Sequence, residues 1–466
     1  MTSTKDLVAL FELQKKAFAA NPYPSLKQRE DRLDCIIQAL SSNRKRIHAA
    51  LREDFSAHPS EQADFIEIFG VISRFQYVKS MMTQWAAKQP RELDPAMYGE
   101  SSAFVIAQPK GVIGNIVPWN FPFDIGIGPL AEMLAGGNSV IIKPSDMTPA
   151  CSDLMKTMLK DAIDESIVAV APGDIELAKF FPTLPWDHLM YTGNPSVARS
   201  VATAAAQNLT PITLELGGKC PALYTEDAVT PQLVASVLRT KLLKSGQVCV
   251  APDYALVPRA SVEKFVQYAQ EFMVSELPDY INDLQITGII NDRHVERINS
   301  LISDLETTGT RIVAFGDIAE SNGRRLPLRL VIDPPKHSRV MREEIFGPIL
   351  PILPYDSLEE AVHYIANNER PLGVYVYSDS EAVKSQILEK TQSGGATFNA
   401  CAFQAALPNI GFGGSGQSGY GRHHGIEGFR EFTNPRGVVD FDSEALALVI
   451  APPYGSVADS VLSSMT

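Results

Sequence analysis

Three side chains of different kinds raise the first chemical question in this chain: Cys249, Glu215 and Asn120. Cys249 lies in "KSGQVCVAPD", just past Gly246. A thiol in a turn between a helix and a strand has backbone dipoles and partial exposure within reach, the setting that makes a cysteine a nucleophile. Glu215 stands at the end of the strand-like run "ITLEL", ahead of two glycines, where a carboxylate can project into a cleft as a base. Asn120, in "PWNFP", ends another apolar run, and its amide can donate to an oxyanion. Taken singly, each also has a plainer reading: a packed thiol, a solvated acid, a turn-forming amide. His423 and His424 suggest a rival arrangement, a cysteine hydrolase, but they sit in a glycine-rich loop with no acid in place to orient them.

The elements that must position these groups are legible in the chain around them. Its 466 residues exceed one compact core and predict two or three domains. A composition 45% hydrophobic and 20% charged fits a globular α/β protein. A net charge of −13 argues against any general affinity for nucleic acid or anionic lipid. The opening "MTSTKDLVALFELQKKAF" has no signal-peptide core, and no run approaches the roughly 18 apolar residues of a membrane span. A cytoplasmic protein with no membrane or nucleic-acid partner is expected. The five cysteines are odd in number and widely spaced, without CxxC or HExxH, which predicts free thiols and no metal site.

Residues 5–88 read as helices, with Leu33, Ile36, Ile37, Leu40, Ile47 and Leu51 at helical spacing and Cys35 packed among them. After Pro95, short apolar runs alternate with helical patterns, which implies a parallel sheet with crossover helices. Ligands of such sheets bind beyond the carboxyl ends of the strands, here "PWN", "KPS" and "YTGN". "YTGNPSVARSVATAAA" reads as a strand, a turn at Gly193-Asn194 and a helix whose free N–H groups can face an anion. "TPQLVASVLRTKLLKSG" reads as a helix capped by Thr230, with Pro231 in its first turn and its stop at Gly246. "GFGGSG" at Gly411–Gly416 matches a dinucleotide-binding pattern but lacks the strand before it and the helix after it. "LELGGKC" is no phosphate loop either, since Cys220 stands where Ser or Thr is required.

Taken in order and with their intervals, "PWNFP", "KPS", "TGN", "LELGGK", "GQVC" and "EEIFGP" resemble the NAD(P)-dependent aldehyde dehydrogenase superfamily, from about residue 10 to 440. "GQVCVAPDYALVP" and the short N-terminal region are similar to its class 3 branch, and "NPYPSLKQREDRL" to the coniferyl-aldehyde dehydrogenases within that branch. The resemblance implies an α/β fold with a Rossmann-like cofactor domain (1–80 and 103–214), an α/β catalytic domain (215–405), bridging and oligomerisation segments (81–102 and 406–445) and a C-terminal tail (446–466). It implies Cys249 as nucleophile, Glu215 as general base and Asn120 as oxyanion donor. For the cofactor it implies Pro118 and Trp119, Lys143 with Ser145 and Asp146 near the adenosine ribose, Gly193 and Asn194 at the pyrophosphate, and Glu344 with Phe346 at the nicotinamide ribose. It implies a substrate tunnel of Phe121, Gly128 and Phe412, widened where Gly128 lacks a side chain unless that glycine merely ends or kinks its helix before Pro129. NAD is expected in preference to NADP, since the Asp146 carboxylate repels a 2′-phosphate. The substrate is expected to be a bulky aromatic aldehyde, with a medium-chain aliphatic aldehyde as the alternative, and the assembly a homodimer. Glu215 separates this reading from an acylating dehydrogenase that passes its thioester to coenzyme A, and Cys249 with Glu215 separates it from a non-catalytic relative. One departure stands out: the turn reads "GNPSVA", with Pro195 inside it and Ala198 where many relatives carry glycine.

Overall fold

Local signals set the N-terminal helices. Ser3 and Ser25 each accept a backbone N–H three residues on, and Asp6 and Gln28 bond back, so both helices, Thr4–Ala20 and Leu26–Ser42, open on a capping box. Leu33, Ile36, Leu40, Ile47 and Leu51 are fully buried, while Ile37 and Cys35 pack at the margin of the same core. The computed structural model describes residues 1–316, 324–442 and 451–465.

Two mainly parallel sheets follow from the alternation of apolar runs and helices. The first runs Gly419–Tyr420, Ile212–Leu216, His188–Gly193, Val112–Ile116, Ser139–Lys143, Val168–Val170. Only the first of these pairings is antiparallel. Sequence order reverses between Val112–Ile116 and His188–Gly193, so a crevice opens beyond their carboxyl ends, at "PWN" and "TGN". Both faces are covered: the helices from Leu26 to Trp85 pack on one, and Leu7 and Phe11 join the core of the other. The second sheet has the order Arg311–Phe315, Leu328–Ile332, Ile349–Tyr355, Pro252–Pro258, Cys220–Tyr224, Gly373–Tyr377, Gly395–Phe398, antiparallel only at its first pairing.

A third, antiparallel sheet joins Gln89–Arg91, Ser102–Pro109 and Thr433–Asp440. This shifts the expected bridging boundary. The strand beginning at Ser102 stays in the antiparallel sheet as far as Pro109, instead of leaving it at residue 102. Within 406–445, Gly419–Tyr420 pairs with the first sheet, with Gly419 opposite Glu215. Residues 443–445 of that segment, and 446–450 and 466 of the expected tail, lie outside the described residues; Ser456–Ser464 of the tail is a helix. Among the described residues, no helix is long and apolar enough to cross a membrane, and no cluster of His, Cys, Asp and Glu could hold a metal.

Candidate active site

The loop that carries Cys249 is built from backbone geometry a sequence rarely advertises. Its helix, Pro231–Leu242, starts as expected, with the Thr230 hydroxyl accepting from the Leu233 N–H. It ends four residues before Gly246, because Lys244 (φ 52°), Ser245 (φ 54°) and Gly246 (φ 75°) turn left-handed. Left-handed non-glycine residues cost about 1 kcal/mol or more each. Buried contacts hold them. The Lys244 ammonium, 0% exposed, lies 3.0 Å from Glu67 Oε1 and 2.8 Å from His58 Nε2, over the rings of Phe55 and Phe121. Burial and Lys244 keep His58 well below the usual imidazole range, so its neutral ring accepts at Nε2 and donates from Nδ1 to the Pro59 carbonyl. At Gly246 a Cβ would fall 2.3 Å from the Gly347 carbonyl, which only glycine avoids.

Gln247 then pins the chain. Its Nε2 donates to the carbonyls of Lys244 and Gly288, and its Oε1 accepts from the Ile290 N–H. Its own carbonyl accepts from Asn120 Nδ2 at 3.1 Å, so this one bond ties the loop of Cys249 to the strand end that carries Asn120. The second N–H of that amide remains for a ligand.

Cys249 is half-buried. Burial, then the carboxylates of Glu344 and Glu215, push its thiol well above the usual range. Backbone hydrogen bonding at Cys249 offsets part of that rise. Glu215 is 2% exposed, and neither carboxylate oxygen meets a partner in hydrogen-bonding geometry among the described residues. Burial raises it well above the usual carboxylate range, while the Arg422 guanidinium and the nearby Gly414 N–H offset part of that effect. The two glycines after it serve Glu344. A Cβ on Gly217 would overlap the Glu344 carboxylate, and the Gly218 N–H donates to Glu344 Oε1 at 3.2 Å. Burial and Asp253 push Glu344 up to about 7. Arg297 fixes the segment by donating to the carbonyls of Glu344, Ile345 and Phe346, and Phe346 meets Trp119 edge-on at 5.3 Å.

A single cavity of about 1090 Å³ joins these groups. Cys249, Glu215, Asn120, Pro118, Trp119, Gly193, Asn194, Glu344, Phe346, Phe121 and Phe412 all line it. Lys143, Ser145 and Asp146 do not. Lys143 is buried and donates to the Pro144 carbonyl at 2.7 Å, Ser145 is half-buried, and Asp146 is exposed. The anion-facing helix Pro195–Ala206 also differs from expectation. Pro195 has no N–H, and the Ser196 N–H is taken by the Asn194 side chain at 2.8 Å, which leaves fewer free donors than the bare motif implies. Arg199, one turn on, lines the cavity there, and Ala198 is buried in the core.

Gly128 requires the clearest correction. It lies outside the cavity lining, between the helices Pro122–Ile127 and Leu130–Ala135. A Cβ there would stand 2.4 Å from the Asp124 carbonyl and 3.0 Å from Arg74 Nη1. Its missing side chain therefore makes room for Arg74, not for a substrate. Arg74 and Asp124, which sequence reasoning missed, do line the cavity. Asp124 falls on the same helical face as Phe121 and Ile125, a spacing the sequence does contain. His423 and His424 also line the cavity, but both are buried and held well below the usual imidazole range, and His423 Nδ1 faces Arg74, not Cys249.

Comparison with known proteins fits this geometry. The model of the aldehyde dehydrogenase family matches residues 2–438. The chain belongs to that family. It is 38% identical to a probable coniferyl aldehyde dehydrogenase of Caulobacter vibrioides, over 96% of this chain and 94% of that one. It is 34% identical to the coniferyl aldehyde dehydrogenase of Pseudomonas sp. strain HR199, over 98% and 96%. Among solved structures, the substrate-bound state of Staphylococcus aureus AldH superposes with a TM-score of 0.92 at 28% identity, covering 99% of both chains. A Mycobacterium tuberculosis aldehyde dehydrogenase complexed with NAD+ superposes at 0.84 with 27% identity, over 94% and 90%. This aldehyde dehydrogenase oxidises an aldehyde with NAD(P), and the crevice at the strand-order reversal, with the Glu344 carboxylate seated over Gly217, provides the cradle such a dinucleotide needs.

Proposed function

We propose that the protein oxidises a bulky aromatic aldehyde of the coniferyl aldehyde type to its acid, with Cys249 as nucleophile, Glu215 as general base and Asn120 as oxyanion donor. The observation that carries this reading is the continuous cavity that runs from the crevice past Cys249, Glu215 and Asn120 to the aromatic walls Phe121 and Phe412. Cys249 Sγ attacks the carbonyl carbon. Because its thiol is held up, the proton must leave as the bond forms, and Glu215 is the nearby group of raised basicity. The Asn120 amide and the Cys249 N–H receive the oxyanion; one such donor is worth about 3–4 kcal/mol. A bound nicotinamide supplies the hydride acceptor, and Gly193, Asn194, Arg199, Glu344 and Phe346 would hold the cofactor, with Pro118 and Trp119 against it. The acyl group then remains on Cys249 as a thioester; Glu215, once it has released the thiol proton to solvent, takes a proton from the water that attacks the thioester, and the Cys249 thiolate leaves.

NAD is the preferred cofactor in this reading, with Lys143, Ser145 and the Asp146 carboxylate toward the adenosine ribose. A cytoplasmic homodimer completes it. The five cysteines stand as free thiols, in keeping with a reducing compartment, and Val439 and Phe441 are exposed at the end of the antiparallel sheet. The test is absorbance at 340 nm with NAD and a panel of aldehydes, without coenzyme A. A kcat/KM for cinnamaldehydes above that for hexanal supports the aromatic reading, and the reverse order replaces it with an aliphatic one.

A further inference from the structure

The aldehyde side of the cavity is apolar where it meets Phe121, Ile125 and Phe412, yet it holds two charged groups with bonding capacity to spare. Asp124 lies on the face of the helix Pro122–Ile127 that Phe121 and Ile125 turn to the cavity. Its backbone N–H is bound to Glu67, but its carboxylate makes no hydrogen bond among the described residues. Glu67, an acid close enough to raise the Asp124 carboxyl, is already engaged with Lys244 and with the N–H groups of Phe123 and Asp124. Arg74 stands beside it. Nε and Nη2 of its guanidinium grip Glu132, at 2.6 Å for the shortest bond, and Nη2 also meets His423 Nδ1 at 3.1 Å. Nη1 is left without a hydrogen bond among the described residues, in the space that Gly128 leaves open.

Subtracting the paired charges, Lys244 with Glu67 and Arg74 with Glu132, leaves the Asp124 carboxyl, like that of Glu215 in the same cavity, without a hydrogen-bond partner among the described residues. Pockets use a few such polar groups to orient a ligand. Resting on the aromatic reading above, we propose that Asp124, backed by Arg74, is a specificity-determining residue that accepts a hydrogen bond from a hydroxyl at the far end of the substrate, so that the preferred class is a hydroxyaryl aldehyde. Burial and Glu67 push the Asp124 carboxyl up to about 7, which suits a neutral hydroxyl better than an ammonium group.

The test compares kcat/KM of the unmodified enzyme, with saturating NAD, for 4-hydroxycinnamaldehyde, 4-methoxycinnamaldehyde and cinnamaldehyde. The methoxy compound keeps the size and loses the donor. The hydroxyl compound should lead both by about tenfold to a hundredfold, the range for a hydrogen bond to a charged group. In Asp124→Ala that ratio should fall to within about threefold of one, because the acceptor is gone. Three equal values in the unmodified enzyme overturn the anchor and leave the aromatic reading standing, and this arm does not depend on any variant folding. An unchanged ratio in Asp124→Ala removes Asp124 from the role. A higher kcat/KM for 3-aminopropanal than for the hydroxyaryl compound overturns the substrate class. Oxidation of hexanal with no turnover of the three aryl aldehydes overturns the aromatic reading and the proposal with it.

Discussion

The two walls of the cavity are held in opposite ways. The loop of Cys249 rests on partners distant in sequence: Lys244 on Glu67 and His58, Gln247 on Gly288 and Ile290, and Asn120 on Gln247. The turn at Gly193–Ser196 holds itself together, with Asn194 bonding Ser196 two residues on, while Arg199 reaches Gln417 only at 3.5 Å. Bond making at sulfur tolerates little displacement, since an error near 1 Å can cost about a hundredfold in rate. A dinucleotide is long and makes many contacts, so its site can be assembled from local turns. In the proposed mechanism, the side held by long-range contacts is the side where bonds are made.

The largest effect should come from the rigid wall. Cys249→Ser should lower kcat by about 10⁴-fold or more, as loss of a nucleophile does in comparable enzymes. Cofactor binding, read by quenching of tryptophan fluorescence, should persist. Substantial turnover by this variant would remove the thiol from the mechanism.

Glu215→Gln should cut steady-state turnover by about 10²- to 10⁴-fold, the range for a general base, and slow the NADH burst with it, because Glu215 takes a proton in both steps. Because burial raises this carboxyl, it is held protonated at lower pH and converts to the carboxylate base as pH climbs, so wild-type kcat should rise with pH. The variant should lose that rise. A pH profile identical in both proteins would assign the ionisation to another group.

Lys244→Met probes the support rather than the chemistry. It strands the Glu67 carboxylate, 0% exposed, and should cost about 3–5 kcal/mol. Thermal unfolding should shift several degrees lower, with kcat reduced as the loop loosens. An unchanged Tm would show that the left-handed turn does not depend on this pair.

The smallest change is expected outside the cavity lining, at Asp146. Asp146→Ser should raise the ratio of NADP to NAD use by a few-fold, because an exposed carboxylate repels a phosphate only weakly through screening water. Equal ratios before and after would exclude Asp146 from cofactor choice.

Signals carried within one short segment are legible in the sequence itself. Thr230 and Pro231 mark the start of a helix, the period of Leu33 to Leu51 marks a buried face, and "YTGN" marks a strand-to-helix turn. Cys249, Glu215 and Asn120 stand out because their residue types and neighbouring turns carry chemistry in themselves, and the cavity does bring them together.

Whatever depends on two segments meeting is not legible there. The sequence around Gly128 is compatible with a widened tunnel or with a helix end before Pro129, and only the packing of Arg74, from a helix far back in the chain, decides between them. Nothing in the sequence around Lys244 announces that Glu67 and His58 close on it, and the Cys249 helix stops at Leu242 where that left-handed turn begins. The raised carboxyls of Glu215, Glu344 and Asp124 follow the same rule. Sequence supplies the ionisable group, but its proton affinity is set by the solvent and charges that the rest of the fold removes or brings near.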